Sequence, residues 1–175
     1  MIVVLMGVSG SGKTTIGTLL AKRMGAVFAD ADDYHSAANK AKMAAGTPLT
    51  DEDREPWLEE LNRVMRGWFA AGTSGVLACS ALKERYRAAL LAGMPEGAVR
   101  LVFLDGTKDL IARRLAERHH EYMNPALLES QMKTLEPPAD GIRIVNDKTP
   151  DEVVDEILTQ LNPAMNEEND GTQAL

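Results

Sequence analysis

The sequence predicts an α/β protein in which a five-stranded parallel sheet is covered by helices on both faces. Two observations carry that expectation. Five short runs are almost wholly apolar: Ile2 to Met6, Ala26 to Ala29, Val76 to Cys79, Val99 to Leu104 and Ile142 to Val145. Between successive runs, apolar residues recur at helical spacing. Strands that are apolar on both sides must be buried on both sides, and helices lying between them supply the cover. At 175 residues, 45% hydrophobic and 26% charged, the chain is long enough for one proper core and short for two, so a single domain over residues 1–161 is expected.

The first run feeds directly into Gly7-Val8-Ser9-Gly10-Ser11-Gly12-Lys13-Thr14, which fits G-x-x-x-x-G-K-[ST] in full. Behind it, Ile16, Leu19, Leu20 and Met24 recur with helical period, and Gly25 supplies the stop. The second run is followed by a helical arm at about 36–72. Its main helix, roughly Asp51 to Ala71, has Thr50 as cap and Gly72 as stop. One stripe of that helix carries Trp57, Leu58, Leu61, Val64, Met65, Trp68 and Phe69, so both tryptophans read as core and not as base-stacking platforms. Helices from about Leu82 to Leu91 and Asp109 to Glu117 follow the third and fourth runs. A further segment near Pro125 to Leu135 ends at Pro137-Pro138, and a last helix, Asp151 to Leu161, turns Val153, Val154, Ile157, Leu158 and Leu161 inward. Residues 162–175 are polar and acidic after Pro163 and are expected to be disordered.

In an open parallel sheet, ligands bind beyond the carboxyl ends of the strands, where the glycine-rich loop sits. Glycines at 7, 10 and 12 let the backbone turn so tightly that successive N–H groups converge into an anion nest, and the helix starting near Lys13 adds its positive end. Gly7, Val8, Ser9, Gly10, Ser11, Gly12, Lys13 and Thr14 are therefore expected to bind the phosphates of a nucleotide. Lys13 would reach the β- and γ-phosphates, and the Thr14 hydroxyl would take one site on Mg²⁺. The spacing G-x-x-G-x-G does not match that of a dinucleotide fold.

A net charge of −7 argues against a nucleic-acid-binding face. No apolar stretch approaches the roughly 18 residues of a membrane span, and the first residues carry no export signal, so a cytoplasmic protein is expected. The lone Cys79, inside an apolar run, suits a reducing compartment and reads as a small buried hydrophobe.

A second constellation follows the second strand. Asp30, Asp32 and Asp33 should project at the same sheet edge as the loop. Asp30 and Asp32 match the carboxylates that phosphoryl transfer needs, one near the metal and one to accept the proton of an attacking hydroxyl; Asp33 reads as a solvated turn residue. His35 is either a substrate hydrogen-bonding group or a structural donor. Arg54, Lys83 and Arg87 open helices at the same edge and suit an anionic acceptor, or are surface charge; Arg85 reads as surface charge. Arg113, Arg114, Arg118, His119 and His120 end a helix before a segment broken by Pro125, which makes about 118–126 a candidate lid. An arginine closing over a triphosphate contributes on the order of 10³–10⁵ in rate in related chemistry. A zinc site is disfavoured, because the paired histidines have no suitably spaced cysteine or third histidine.

The loop GVSGSGKT, FADADDYH (Phe28 to His35), NKAKMAAGTPLTDEDREPWL (Asn39 to Leu58), CSALKERYR (Cys79 to Arg87) and SQMKTLEPP (Ser130 to Pro138) together resemble the blocks, in order, of the gluconate kinases of thermoresistant gluconokinase type. The resemblance spans about residues 2–161, and Met43 to Trp57 is its most diagnostic part, since the loop alone is shared by many activities. It implies a three-layer P-loop kinase fold of nucleoside-monophosphate-kinase type with a lid, and often a homodimer. It also implies ATP- and Mg²⁺-dependent phosphorylation of the 6-hydroxyl of D-gluconate. By the same resemblance, Asp32 is the base or hydroxyl-orienting group, Asp30 sits near Mg²⁺, Arg118 serves from the lid, and His35, Arg54, Lys83 and Arg87 line the sugar-acid pocket. One departure stands out: the family often has R-x-G-H-F/Y in the lid, where this chain has Arg118-His119-His120-Glu121-Tyr122, so no specific role carries over to His120.

Two other readings compete. A shikimate or nucleotide kinase would share the architecture, although 5% aromatic content leaves little from which to build a base-stacking pocket. A nucleotide-dependent switch would usually show a guanine-reading N-K-x-D, which Asn146-Asp147-Lys148 does not fit.

Overall fold

The computed structural model describes residues 1–117 and 125–162. Strands β1 (Ile2–Met6), β2 (Val27–Asp30), β3 (Gly75–Ala78), β4 (Val99–Asp105) and β5 (Ile142–Val145) form one sheet in the order β2-β3-β1-β4-β5. Every adjacent pair is parallel. The central strand β1 sets Val4 opposite Leu77 on one side and Leu101 on the other.

The period of two along β1 divides the core. Ile2, Val4 and Met6 face a layer that includes Trp57, Leu58, Leu61 and Met65 of α3 (Asp51–Ala70) and Tyr86 and Leu90 of α4 (Glu84–Leu91). Val3 and Leu5 face the opposite layer, with Ile16 and Leu20 of α1 (Lys13–Met24) and Val153, Val154 and Ile157 of α7 (Pro150–Leu161). Buried on both faces, the sheet has no use for polar alternation in its central strand. A smaller cluster joins Val8 of the glycine loop to Leu82, to Ile111 of α5 (Lys108–Glu117) and to Leu128 of α6 (Pro125–Thr134). This third cluster roofs the carboxyl edge of the sheet.

The five strands and six of the helices fall where periodicity predicts them, with ends shifted by a residue or two. α2 (Ala37–Ala44) and the 3-10 turn Ala31–Tyr34 divide the stretch between β2 and α3. Ser36 caps α2 by accepting from the Asn39 amide at 3.1 Å. α3 starts with a reciprocal box: the Thr50 hydroxyl accepts from the Asp53 amide at 3.2 Å, and the Asp53 carboxylate accepts from the Thr50 amide at 3.0 Å. The predicted stripe of α3 is narrower than expected at its end, since Phe69 is 48% exposed. Trp68 already fills that place, its ring covering Gly75 so closely that a Cβ there would collide with it. Phe69, about 100° further round, faces outward.

The expected lid over 118–126 lies mostly outside the described residues, as do Arg118, His119, His120 and the tail beyond 162. Cys79 is buried, and burial pushes its thiol up to about 12, so it behaves as a small hydrophobe. Among the described residues no helix is long and apolar enough to cross a membrane.

Candidate active site

The loop after β1 is a cradle shaped by its neighbours. Gly10 and Gly12 adopt φ of 79° and 97°, and Gly12 caps α1. A Cβ at Gly10 would lie 2.7 Å from Leu115, and one at Gly12 would lie 2.6 Å from the amide nitrogen of Asn146. Only glycine satisfies both the backbone and the space. Asn146, buried directly after β5, donates to the Ser11 carbonyl at 2.6 Å and so holds the loop from below. Gln131 of α6 holds it from above, accepting from the Ser9 amide at 2.8 Å and donating to the Ser9 hydroxyl at 3.1 Å. Lys13 lies over the loop, donating to the carbonyls of Gly7 at 3.0 Å and Val8 at 3.1 Å. The Ser11 hydroxyl is buried and has no hydrogen-bond partner among the described residues. Left-handed glycines, a helix N-terminus, a cation over the loop and an orphaned hydroxyl fit a polyphosphate.

Across the cleft, β2 ends in Asp30. Its carboxylate accepts from the Thr14 hydroxyl at 2.7 Å and, through its other oxygen, caps the 3-10 turn by accepting from the Asp32 amide at 3.1 Å. Two hard oxygens thus lie side by side, a donor pair of the type that Mg²⁺ takes alongside water and phosphate. Asp32 stands in that turn at the protein surface. Loss of hydration pushes its carboxyl above the usual range, the Asp30 charge adds to this, and Lys13 opposes it. Asp33 is exposed.

His35 ends the turn and is buried flat against Trp57, ring centroids 4.3 Å apart and planes 11° from parallel. The Trp57 indole donates to the Ala31 carbonyl at 2.7 Å, which ties α3 to the turn that carries Asp32. Burial lowers the His35 pKa to about 4, with Arg54 and Lys40 adding to the effect, so its ring is neutral near pH 7. Its Nδ1 finds no partner among the described residues.

Arg54, in the first turns of α3, donates to the carbonyls of Leu49 and Thr50 and lies 5.5 Å from the centre of the Tyr86 ring. Lys83 lies 5.4 Å from the same ring. Arg87 turns inward: it is buried, and its Nη1 donates to the carbonyls of Ala81 at 3.0 Å, Leu82 at 3.3 Å and Glu136 at 2.9 Å. It clamps the loop between β3 and α4, where Ala81 holds a positive φ of 43° and Ser80 accepts from the Gly7 amide at 3.3 Å. Lys13, Thr14, Asp30 and Asp32 thus stand near one another at the carboxyl edge of the sheet, Arg54 is near enough to His35 to lower its pKa, and Arg54 and Lys83 share the Tyr86 ring. Arg87 turns away from them into the loop between β3 and α4.

The sequence pattern does not single out Asn146, Gln131, Tyr86 or Asp51 as site residues. Asn146 had a usable signal, because a polar side chain directly after an apolar strand sits at the ligand edge of a parallel sheet. The other three lie on helices, where a polar residue is unremarked until its neighbour is known.

A family model described as an AAA domain matches residues 2–138. A solved gluconokinase structure from Sinorhizobium meliloti 1021 superposes with a TM-score of 0.83 at 34% identity, covering 98% of this chain and 97% of that one. The shikimate kinase of Aquifex aeolicus vf5 superposes with a TM-score of 0.60 at 21% identity over 94% of this chain and 98% of that one, a likeness of P-loop kinase fold alone. A Xenopus tropicalis protein that carries the name "Probable gluconokinase" is 46% identical over 94% of this chain and 95% of its own length. A shared fold needs no such identity across so much of two chains, and this phosphotransferase belongs to the gluconokinase family.

Proposed function

We propose that the protein transfers the γ-phosphoryl group of ATP to the 6-hydroxyl of D-gluconate, giving 6-phospho-D-gluconate and ADP for carbohydrate-acid catabolism. The observation that carries this reading is the cationic lining around Tyr86 in a chain of net charge −7, which suits an anionic acceptor. The neighbouring proteins named gluconokinase support the same acceptor.

Asp32 accepts the proton of the 6-hydroxyl as that oxygen bonds to the γ-phosphorus and the bond from phosphorus to the ADP oxygen breaks. Its raised proton affinity suits a base, and the Asp30 and Lys13 charges tune it from opposite directions. The backbone of Gly7 to Thr14 holds the phosphates, and Lys13 leaves the Gly7 and Val8 carbonyls to neutralise charge on the transferring group. Thr14 and Asp30 would hold Mg²⁺, which would supply positive charge to offset that of the phosphates. His35, Arg54, Lys83 and Arg87 form or back the acceptor pocket, and Arg118 acts from a lid over about 118–126. In this reading residues 1–161 are one domain with an acceptor-side arm at about 36–72. The protein works as a cytoplasmic homodimer without nucleic-acid or membrane partners.

Incubation with ATP, Mg²⁺ and a panel of gluconate, glucose, shikimate and nucleoside monophosphates tests the reading. Selective consumption of gluconate with a new phosphomonoester at carbon 6 is expected; preference for shikimate or a nucleotide overturns it.

A further inference from the structure

The acceptor wall contains a carboxylate with no task in the mechanism above. Asp51, the first residue of α3, sits among the side chains that open α4. Lys83 Nζ is 3.4 Å from its Oδ1, Arg85 pairs with its Oδ2, and the Tyr86 hydroxyl donates to Oδ1. Around the Tyr86 ring, Arg54 lies at 5.5 Å and Lys83 and Arg85 each at 5.4 Å, so three cations share one aromatic side chain, and Asp51 pairs with two of them. Two nearby acids are engaged elsewhere: Asp53 with Lys42 and the Thr50 cap, and Glu136 with the Glu84 amide.

This cluster has the composition of a carboxylate subsite. A guanidinium, an ammonium and a phenol converge on two carboxylate oxygens, the donor set a sugar acid's carboxylate would need. It lies at the same sheet edge as the phosphate cradle, because the loop that leads from β3 to Lys83 also bonds Gly7. It is also open to exchange. The side chains of Asp51, Lys83 and Arg85 are 32%, 30% and 54% exposed, so their ion pairs are partly solvated and weak enough to trade one anion for another.

We propose that Asp51 is an internal stand-in for the acceptor's carboxylate: it holds Lys83, Arg85 and Tyr86 together before the acceptor arrives, and gluconate's carboxylate displaces it. The inference rests on the gluconate reading above and adds two residues to it. Arg85 becomes a specificity-determining contact for the carboxylate, and Asp51 a competitor that sets how strongly an acceptor must bind. An acceptor without a carboxylate has nothing with which to displace Asp51, which gives the pocket a built-in preference for sugar acids over neutral polyols.

Steady-state kinetics on the full chain tests this. Asp51→Asn keeps the side chain's size and removes its charge; it should lower the KM for gluconate by about three- to tenfold with the effect on KM and not on kcat, while Asp51→Glu restores the wild-type value. Arg85→Gln, at an exposed position that folding does not need, should raise the same KM by about tenfold. A purely structural tie between α3 and α4 would instead raise KM or lower stability in Asp51→Asn. Wild-type turnover of gluconate together with an unchanged or raised KM in Asp51→Asn, or an unchanged KM in Arg85→Gln, overturns this inference alone. Wild-type protein that leaves gluconate untouched overturns both it and the proposed function.

Discussion

Asp32 is held at some expense to the fold. Its carboxyl, partly stripped of water and set beside the Asp30 charge, binds a proton more tightly in the native state than in the unfolded chain. The stability it contributes is therefore present below the unfolded carboxylate pKa and is lost as pH rises through the higher native value, leaving an ionised group that weakens the fold near neutrality. Asp32→Asn should cut turnover by about 10²- to 10⁴-fold with ATP affinity retained, and should raise the melting temperature at pH 7. Kinetics, ATP titration and scanning calorimetry on the one variant check all three. In the wild type, kcat/KM should fall as the medium is acidified through a carboxyl pKa above the ordinary aspartate range. His35 has the opposite sign. Its native pKa of about 4 lies below its ordinary 6.5, so its contribution is intact above pH 6.5 and fades as pH drops toward 4. His35→Phe, which keeps a flat ring on Trp57 and cannot charge, should flatten the loss of stability over that interval in denaturant titrations run at successive pH values.

The element that aims these residues is α3. Its buried stripe fixes it to the sheet, and Trp57 passes that position on to the turn that carries Asp32 through the stack on His35 and the hydrogen bond to Ala31. Trp57→Phe should preserve the stack but strand the buried Ala31 carbonyl, at a cost of about 1–3 kcal/mol in urea unfolding, and should raise the gluconate KM more than the ATP KM. The existence of α3, its cap and most of its buried stripe were readable from a 3.6-residue period, because a helix that must bury one side advertises it locally. Phe69 was misread since the pattern cannot say where the layer beneath the helix stops. The division of the preceding stretch into a 3-10 turn and α2 was not resolved either, as short helices carry too few turns for a period to show.

At the scale of the whole molecule, sheet order assembles the cleft. With β3 between β2 and β1, the ends of all three strands lie side by side, and the phosphate loop, the aspartate turn and the opening of α4 share one edge. Ligands that bridge these pieces should stabilise the fold as a unit. ATP with Mg²⁺ at about 100 times its dissociation constant should add about 2.7 kcal/mol, raising the melting temperature by several degrees, and EDTA should remove most of that gain. Calorimetry with and without chelator reads it directly.

Sequence alone was sufficient for the α/β class, the strand positions and the tight glycine turn that leads into the helix starting at Lys13. Each of these is written in a few consecutive residues, by backbone sterics at glycine or by the period at which apolar side chains recur. Folding decided which polar groups became neighbours: Thr14 with Asp30, Asp51 with Lys83 and Arg85, Gln131 with Ser9, and Asn146 with Ser11, pairs 16 to 135 positions apart along the chain. Such pairs depend on how strands order themselves in the sheet and how helices settle on it, a balance of burial over the whole core that no local window of residues contains.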